Sequence, residues 1–220
     1  MRIVRDDAVG SQEELVQQVV DVLNDGGLVC LPCNGTYRIL ADLQSQDAVM
    51  RLLQTKRRVH KAPSLVFVDS VDRLDLVADE VDPETRAVAE ALWPGPVTVL
   101  VSASRKLPRK VTKELTKANG KLGVRVPESD LAQQVVRAFG APVLVSSANR
   151  GRKSGESSAA QVRQNLGRGI DLFVDAGDLE PVPSSTVIEL RSGDTNVVRA
   201  GAIPEELIRQ VLVEAAPCGE

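Results

Sequence analysis

The order of patterns along this chain predicts a single α/β (α+β) domain. Three observations predict it. Apolar positions with helical period alternate with short β-branched runs from one end to the other. Hydrophobic residues make up 43% and charged residues 26% of the 220, which is enough apolar material for one sizeable core. No repeat, low-complexity block or long linker divides the sequence, so residues 1–220 read as one domain.

The elements follow in order. Ser11 starts a helix: Ser11-Gln12-Glu13-Glu14 is a capping box, Leu15, Val19 and Leu23 mark one face, and Gly26 stops it. Residues 27–32 read as a buried strand and Asn34-Gly35 as a turn. Ser45 caps a helix with Val49, Leu52 and Leu53 inward. The run 64–68 is a strand. Asp82-Pro83 opens a helix that runs to Trp93, with proline at its first position. Residues 96–102 and 122–126 are strands, and 129–139 a helix ending at Gly140. A strand at 141–147, a helix at 158–166, strands at 185–190 and 196–200 and a helix at 203–213 complete the chain.

The net charge of −3 gives no electrostatic reason to expect a nucleic-acid binder. The start, MRIVRDDAVG, has no apolar h-region and no apolar run approaches a membrane span, so a cytoplasmic protein with no membrane partner is expected. Cys30 and Cys33 form a C-x-x-C pair. A reactive dithiol sits at a helix N-terminus, whereas Cys30 falls inside a strand. A zinc site needs four ligands, and only His60 and Cys218 remain to supply them. The two cysteines therefore read as small buried apolar residues, and no metal site is expected.

Chemistry is expected elsewhere. Lys56, Arg57, Arg58 and Lys61 follow a helix end, where cations also suit the helix dipole. Trp93-Pro94-Gly95-Pro96 reads as a structural corner. Arg125 lies in an otherwise apolar strand, so its charge must be paired or face a polar cavity. The strand at 141–147 ends in small hydroxyl and amide residues, followed by a basic glycine-containing loop with Arg150, Arg152 and Lys153. Such a loop lets backbone amides approach a phosphate. A separate basic run, Arg105, Lys106, Arg109, Lys110, Lys113, Lys117, Lys121 and Arg125, faces a single acid, Glu114. It supports an RNA-binding module as the alternative, although no aromatic stacking platform lies within it.

In order, these pieces resemble the YrdC/YciO family, threonylcarbamoyl-AMP synthases among them, over about residues 12–212. Lys56 and Arg58 stand for its K-x-R, followed by Pro63. Trp93–Thr98 matches W-P-G-P-x-T, Val124–Pro127 matches V-R-x-P, and Ser147–Asn149 matches S-x-N. Ser185–Val187 is S-T-V and Arg199–Gly201 is R-x-G. The resemblance implies a twisted mixed sheet with flanking helices around a large concave basic cavity. It implies that L-threonine, bicarbonate or CO2 and ATP with Mg2+ give threonylcarbamoyl-AMP, which a tRNA threonylcarbamoyl-transfer enzyme consumes. tRNA or double-stranded RNA is a further implied partner. Lys56 and Arg58 would be catalytic and, with Ser147, Asn149 and Arg199, would hold the nucleotide. Tyr37, Arg125 and Ser185 would hold threonine.

The first motif departs from the family's P-T-D/E-T-V-Y-G-L. Here it reads PCNGTYRIL: Gly35 replaces a hydroxyl residue, Arg38 replaces the glycine after Tyr37, and Phe67 stands where some members have histidine. Weakened threonine recognition is expected, with Gly35→Thr improving it if the side chain fits. The alternative is a YciO-type paralogue that binds nucleotide or RNA with little synthase activity.

Overall fold

The structure is a computed structural model and describes residues 1–5, 10–56, 64–116, 120–149, 156–191 and 194–215. Its strands are β1 (Arg2–Arg5), β2 (Val29–Cys33), β3 (Thr36–Asp42), β4 (Ser64–Phe67), β5 (Val97–Ser102), β6 (Lys121–Arg125), β7 (Val143–Ser147), β8 (Leu172–Asp175), β9 (Thr186–Arg191) and β10 (Asp194–Arg199). Its α-helices are α1 (Gln12–Asn24), α2 (Gln46–Thr55), α3 (Pro83–Leu92), α4 (Arg109–Leu115), α5 (Asp130–Phe139), α6 (Ala159–Leu166) and α7 (Glu205–Ala215). One mixed sheet of ten strands runs in the order β1-β8-β2-β3-β7-β4-β6-β5-β9-β10. Among the described residues, no helix is long and apolar enough to cross a membrane.

Local chemistry sets the helix starts. The hydroxyls of Ser11 and Ser45 accept from the amides of Glu14 and Ala48, each at 3.2 Å. The Asp82 carboxylate accepts from Thr85 N at 2.7 Å, and Gly140 ends α5 at φ +74°. These bonds satisfy amides and carbonyls that a helix end leaves open. The two-residue turn between β2 and β3 places both Asn34 (φ +48°) and Gly35 (φ +66°) in the left-handed region, as a tight hairpin requires.

Four elements were not expected: β1, β8, α4 and β3 as a strand of its own. The consequence is largest for β8, which pairs in parallel with both β1 and β2. Its four residues, Leu172-Phe173-Val174-Asp175, are too few to show a period.

Alternation along the strands divides the core into two faces. One face packs Tyr37, Ile39, Val66, Val99, Val124 and Ile188 against α2, α3, α4, α6 and α7. The other packs Leu31, Cys33, Leu40, Phe67 and Val145 against α1 and α5 alone. Strands β5, β6, β9 and β10 contribute nothing to this second cluster. Their second face joins neither apolar cluster, although Thr98, Leu100, Arg125 and Glu189 on it are buried.

Candidate functional site

Arg125, at the end of β6 where that face meets β4, is 3% exposed. Leu122 and Val124 turn into the helix-rich cluster, so Arg125 turns the other way. Its guanidinium lies 5.1 Å from the centroid of the Phe67 ring, a cation–π arrangement. Its Nε and Nη2 atoms are buried and have no hydrogen-bond partner among the described residues. Burial pushes its pKa down, and the charges of Arg38 and Arg199 push it further. A buried charge without a hydrogen-bonded partner is costly, so this group is held ready for an anion.

At the end of β7, Ser147, Asn149 and Lys56 form one node. Lys56 is the C-cap of α2. Its ammonium donates to the carbonyls of Ser147 and Asn149, and to Asn149 Oδ1 at 2.6 Å. Ser147 Oγ donates to Asn149 Oδ1 at 2.7 Å. An ammonium has three donors. The contacts of Lys56 tie α2 to the 147–149 loop and bring its charge to the place where a direct phosphate contact was expected.

The S-T-V and R-x-G motifs meet across the sheet. Arg199 donates to Ser185 O at 2.7 Å and to Ser185 Oγ at 3.1 Å. The hydroxyls of Ser185 and Thr98 share a hydrogen bond of 3.3 Å. A Cβ at Gly201 would lie 2.3 Å from Ser184 O, so glycine alone permits this crossing. Trp93 donates from Nε1 to Val97 O at 2.8 Å, which makes the W-P-G-P stretch the structural corner that its composition implies.

The structure places Tyr37 differently from a substrate contact. Its side chain is fully buried, with its ring 5.1 Å from that of Phe173. Its hydroxyl donates to Gly177 O at 2.6 Å and accepts from Ala176 N at 3.0 Å. The phenol's single proton is thus committed to the loop after β8, and Tyr37 anchors that loop to β3. Burial first, then the charge of Asp175, pushes its pKa up to about 12, against the hydrogen bond from Ala176. The unfolded chain, with an ordinary phenol, ionises first. The contribution of Tyr37 to stability is therefore complete below about pH 10 and is lost as pH rises through 12. Tyr37 is the chain's single tyrosine, so phenolate absorbance should give one midpoint near pH 12. A midpoint near pH 10 in folded protein would contradict the buried hydroxyl.

Gly35 also corrects an expectation. A Cβ there would sit 2.3 Å from Glu180 O and 2.9 Å from Val182 N. Glycine is required by the backbone that crosses it, so a hydroxyl side chain does not fit. Thr36 donates its own hydroxyl to Cys33 O at 3.4 Å.

Cys30 and Cys33 belong to opposite core clusters, one on each side of the sheet. They cannot form a dithiol, and burial raises both thiol pKa values, so neither is reactive. A Cys30→Ala/Cys33→Ala variant should stay folded; loss of a bound metal on substitution would contradict this.

The basic run does not form one surface. Arg105 pairs with Asp79 at 2.8 Å and Lys121 with Glu189 at 3.2 Å. Helix α4 lies on the helix-rich side, whereas Arg125 turns to the other. Arg58, His60, Lys117, Arg150, Arg152, Lys153 and Cys218 lie outside the described residues.

Arg38 was noted in the sequence only as a departure. It stands on β3 directly opposite Ser147 of β7, and its Nε is buried without a hydrogen-bond partner among the described residues. Burial lowers its pKa. The signal that could have found it is a charge between apolar neighbours in a strand, as at Arg125.

The sequence profile of the Sua5/YciO/YrdC family, described as "Telomere recombination", matches residues 21–201. The threonylcarbamoyl-AMP synthase of Pyrococcus abyssi is 28% identical over 203 residues, covering 92% of this chain and 58% of that protein. This chain thus spans less than two thirds of that relative. The Escherichia coli K12 protein YciO, named as uncharacterized, is 25% identical over 191 residues, covering 86% of this chain and 90% of YciO. The crystal structure of P. abyssi Sua5 complexed with L-threonine superposes with a TM-score of 0.82 at 26% identity, over 96% of this chain and 60% of that one.

Proposed function

The chain belongs to the Sua5/YciO/YrdC family, and from that premise we propose that it is a nucleotidyltransferase of the threonylcarbamoyl-AMP synthase kind. The observation that carries this reading is the buried guanidinium of Arg125, two of whose nitrogens have no hydrogen-bond partner among the described residues. It suits the α-carboxylate of L-threonine, the ligand named for the P. abyssi structure. Ser185 would lie beside the amino acid. Ser147, Asn149, Lys56, Arg58 and Arg199 would hold ATP, with Lys56 acting in part through the loop it fastens.

The chemistry asks for charge neutralisation and in-line positioning more than for a strong base. The threonine amine attacks CO2 derived from bicarbonate and loses a proton, giving a carbamate. A carbamate oxygen then bonds to the α-phosphorus of ATP as the bond to pyrophosphate breaks. Among the described residues, no three carboxylate, histidine or cysteine side chains come together as a metal site. Magnesium would enter as the ATP complex, held by the phosphates. The adenylate would pass to an enzyme that modifies tRNA.

The test supplies ATP, magnesium, bicarbonate and each amino acid in turn. Pyrophosphate and an acyl-AMP should appear with L-threonine. ATP binding without pyrophosphate from any amino acid would favour the YciO-type alternative, to which Gly35 and Phe67 lend support.

A further inference from the structure

We infer that Arg38 and Arg125 together form a site for a dianion, in which Arg38 takes the carboxylate that bicarbonate contributes to the N-carboxylated amino acid. The inference rests on the synthase reading above and adds to it a residue for the carbon source.

The two guanidiniums share one side of the sheet. On β3, Tyr37 and Ile39 turn into the helix-rich cluster and Leu40 into the other, so Arg38 turns the same way as Leu40. Arg125 turns to that side from β6. Arg38 Nε, Arg125 Nε and Arg125 Nη2 are all buried without a hydrogen-bond partner among the described residues. Burial weakens the hold of each on its proton, and the charge of Arg38 reaches both Arg125 and Arg199. The acid that reaches Arg125 is Glu128, which already accepts from Asn34 Nδ2 at 2.7 Å. One carboxylate cannot balance two guanidiniums with buried, unpartnered nitrogens, and an amino-acid carboxylate alone would leave one of them unmatched.

Position decides which anion Arg38 takes. Its strand partner is Ser147, the first residue of the loop assigned to the nucleotide. Arg125 lies over Phe67, at the amino-acid end. Arg38 therefore stands on the nucleotide side, with β7 and β4 between it and Arg125. N-carboxythreonine carries one carboxylate on Cα and one on nitrogen, and the second attacks the α-phosphorus. A guanidinium beside the nucleotide loop suits that second carboxylate, binding it in two-pronged fashion.

The probe is 2-(1-hydroxyethyl)succinate, in which CH2 replaces the carbamate NH, so both carboxylates remain; ATP is left out, so no adenylation occurs. Calorimetry should show it binding to wild type, roughly tenfold or more weakly to Arg38→Met, and to an intermediate degree to Arg38→Lys. L-Threonine should bind Arg38→Met within about threefold of wild type, which a general disturbance of the site would not spare. In turnover, Arg38→Met should raise the KM for bicarbonate and leave that for threonine nearly unchanged. Arg38→Gln serves if the methionine variant does not fold. Equal binding of the succinate by wild type and the Arg38 variants, or no binding to wild type, overturns the inference. A wild type that binds it but releases no pyrophosphate from ATP with L-threonine and bicarbonate overturns the synthase reading and leaves the dianion site standing.

Discussion

Replacing Arg125 with methionine is expected to leave the protein at least as stable as wild type while lowering turnover by a hundredfold or more. The two effects have one cause. Arg125 is 3% exposed, with two nitrogens lacking hydrogen-bond partners among the described residues, so the folded state carries a desolvated cation. Methionine fills nearly the same volume without a charge. The lost contact with the Phe67 ring costs about 0.5–2 kcal/mol, and relief of the buried charge offsets it. A bidentate grip on a carboxylate consists of two charge-assisted hydrogen bonds, each worth about 1.5–3 kcal/mol, so its loss should weaken substrate use by roughly 10²–10⁴. Thermal melting and pyrophosphate release on the same preparation check this. A variant that melts well below wild type would mean that Arg125 supports the fold instead.

Gly35→Thr should destabilise the protein by about 3 kcal/mol or more, lowering the melting temperature by roughly 6–12 °C. Two independent costs coincide. Gly35 has φ +66°, which a β-branched residue adopts only under strain. Its Cβ would also collide with the backbone of Glu180 and Val182, which cannot swing aside as a side chain can. Gly35→Ala should show most of the same loss, because the collision is with Cβ itself. A neutral Gly35→Ala would show that the 180–182 segment does not cross the hairpin this closely. Threonine use is not improved through this position.

What the sequence makes legible is local. Ser11, Ser45 and Asp82 announce helix starts because a cap bonds to an amide three residues away. Asn34-Gly35 announces a hairpin because few residues accept its dihedral angles. The residues of the site are equally visible as chemistry out of place, such as Arg125 in an apolar strand. What stays hidden depends on partners far along the chain. Tyr37 carries a family signature, but that its hydroxyl serves Ala176 and Gly177 follows only from β8 lying two strands away. The same holds for Gly35 and the segment crossing it. The basic run from Arg105 to Arg125 looks continuous in sequence, yet β6 and α4 place its members on different sides of the sheet. Charge density along a chain gives no information about which face each charge occupies.

The central claim is that the buried guanidinium of Arg125 is a receptor for substrate carboxylate. It is tested most directly by titrating wild-type protein with L-threonine and with L-threoninol, which has the same amine and side chain but no carboxylate. L-Threonine should bind with measurable heat and L-threoninol roughly a hundredfold or more weakly, with the preference lost in Arg125→Met. Equal binding of the two ligands by wild type, or a preference that survives in Arg125→Met, would contradict the account.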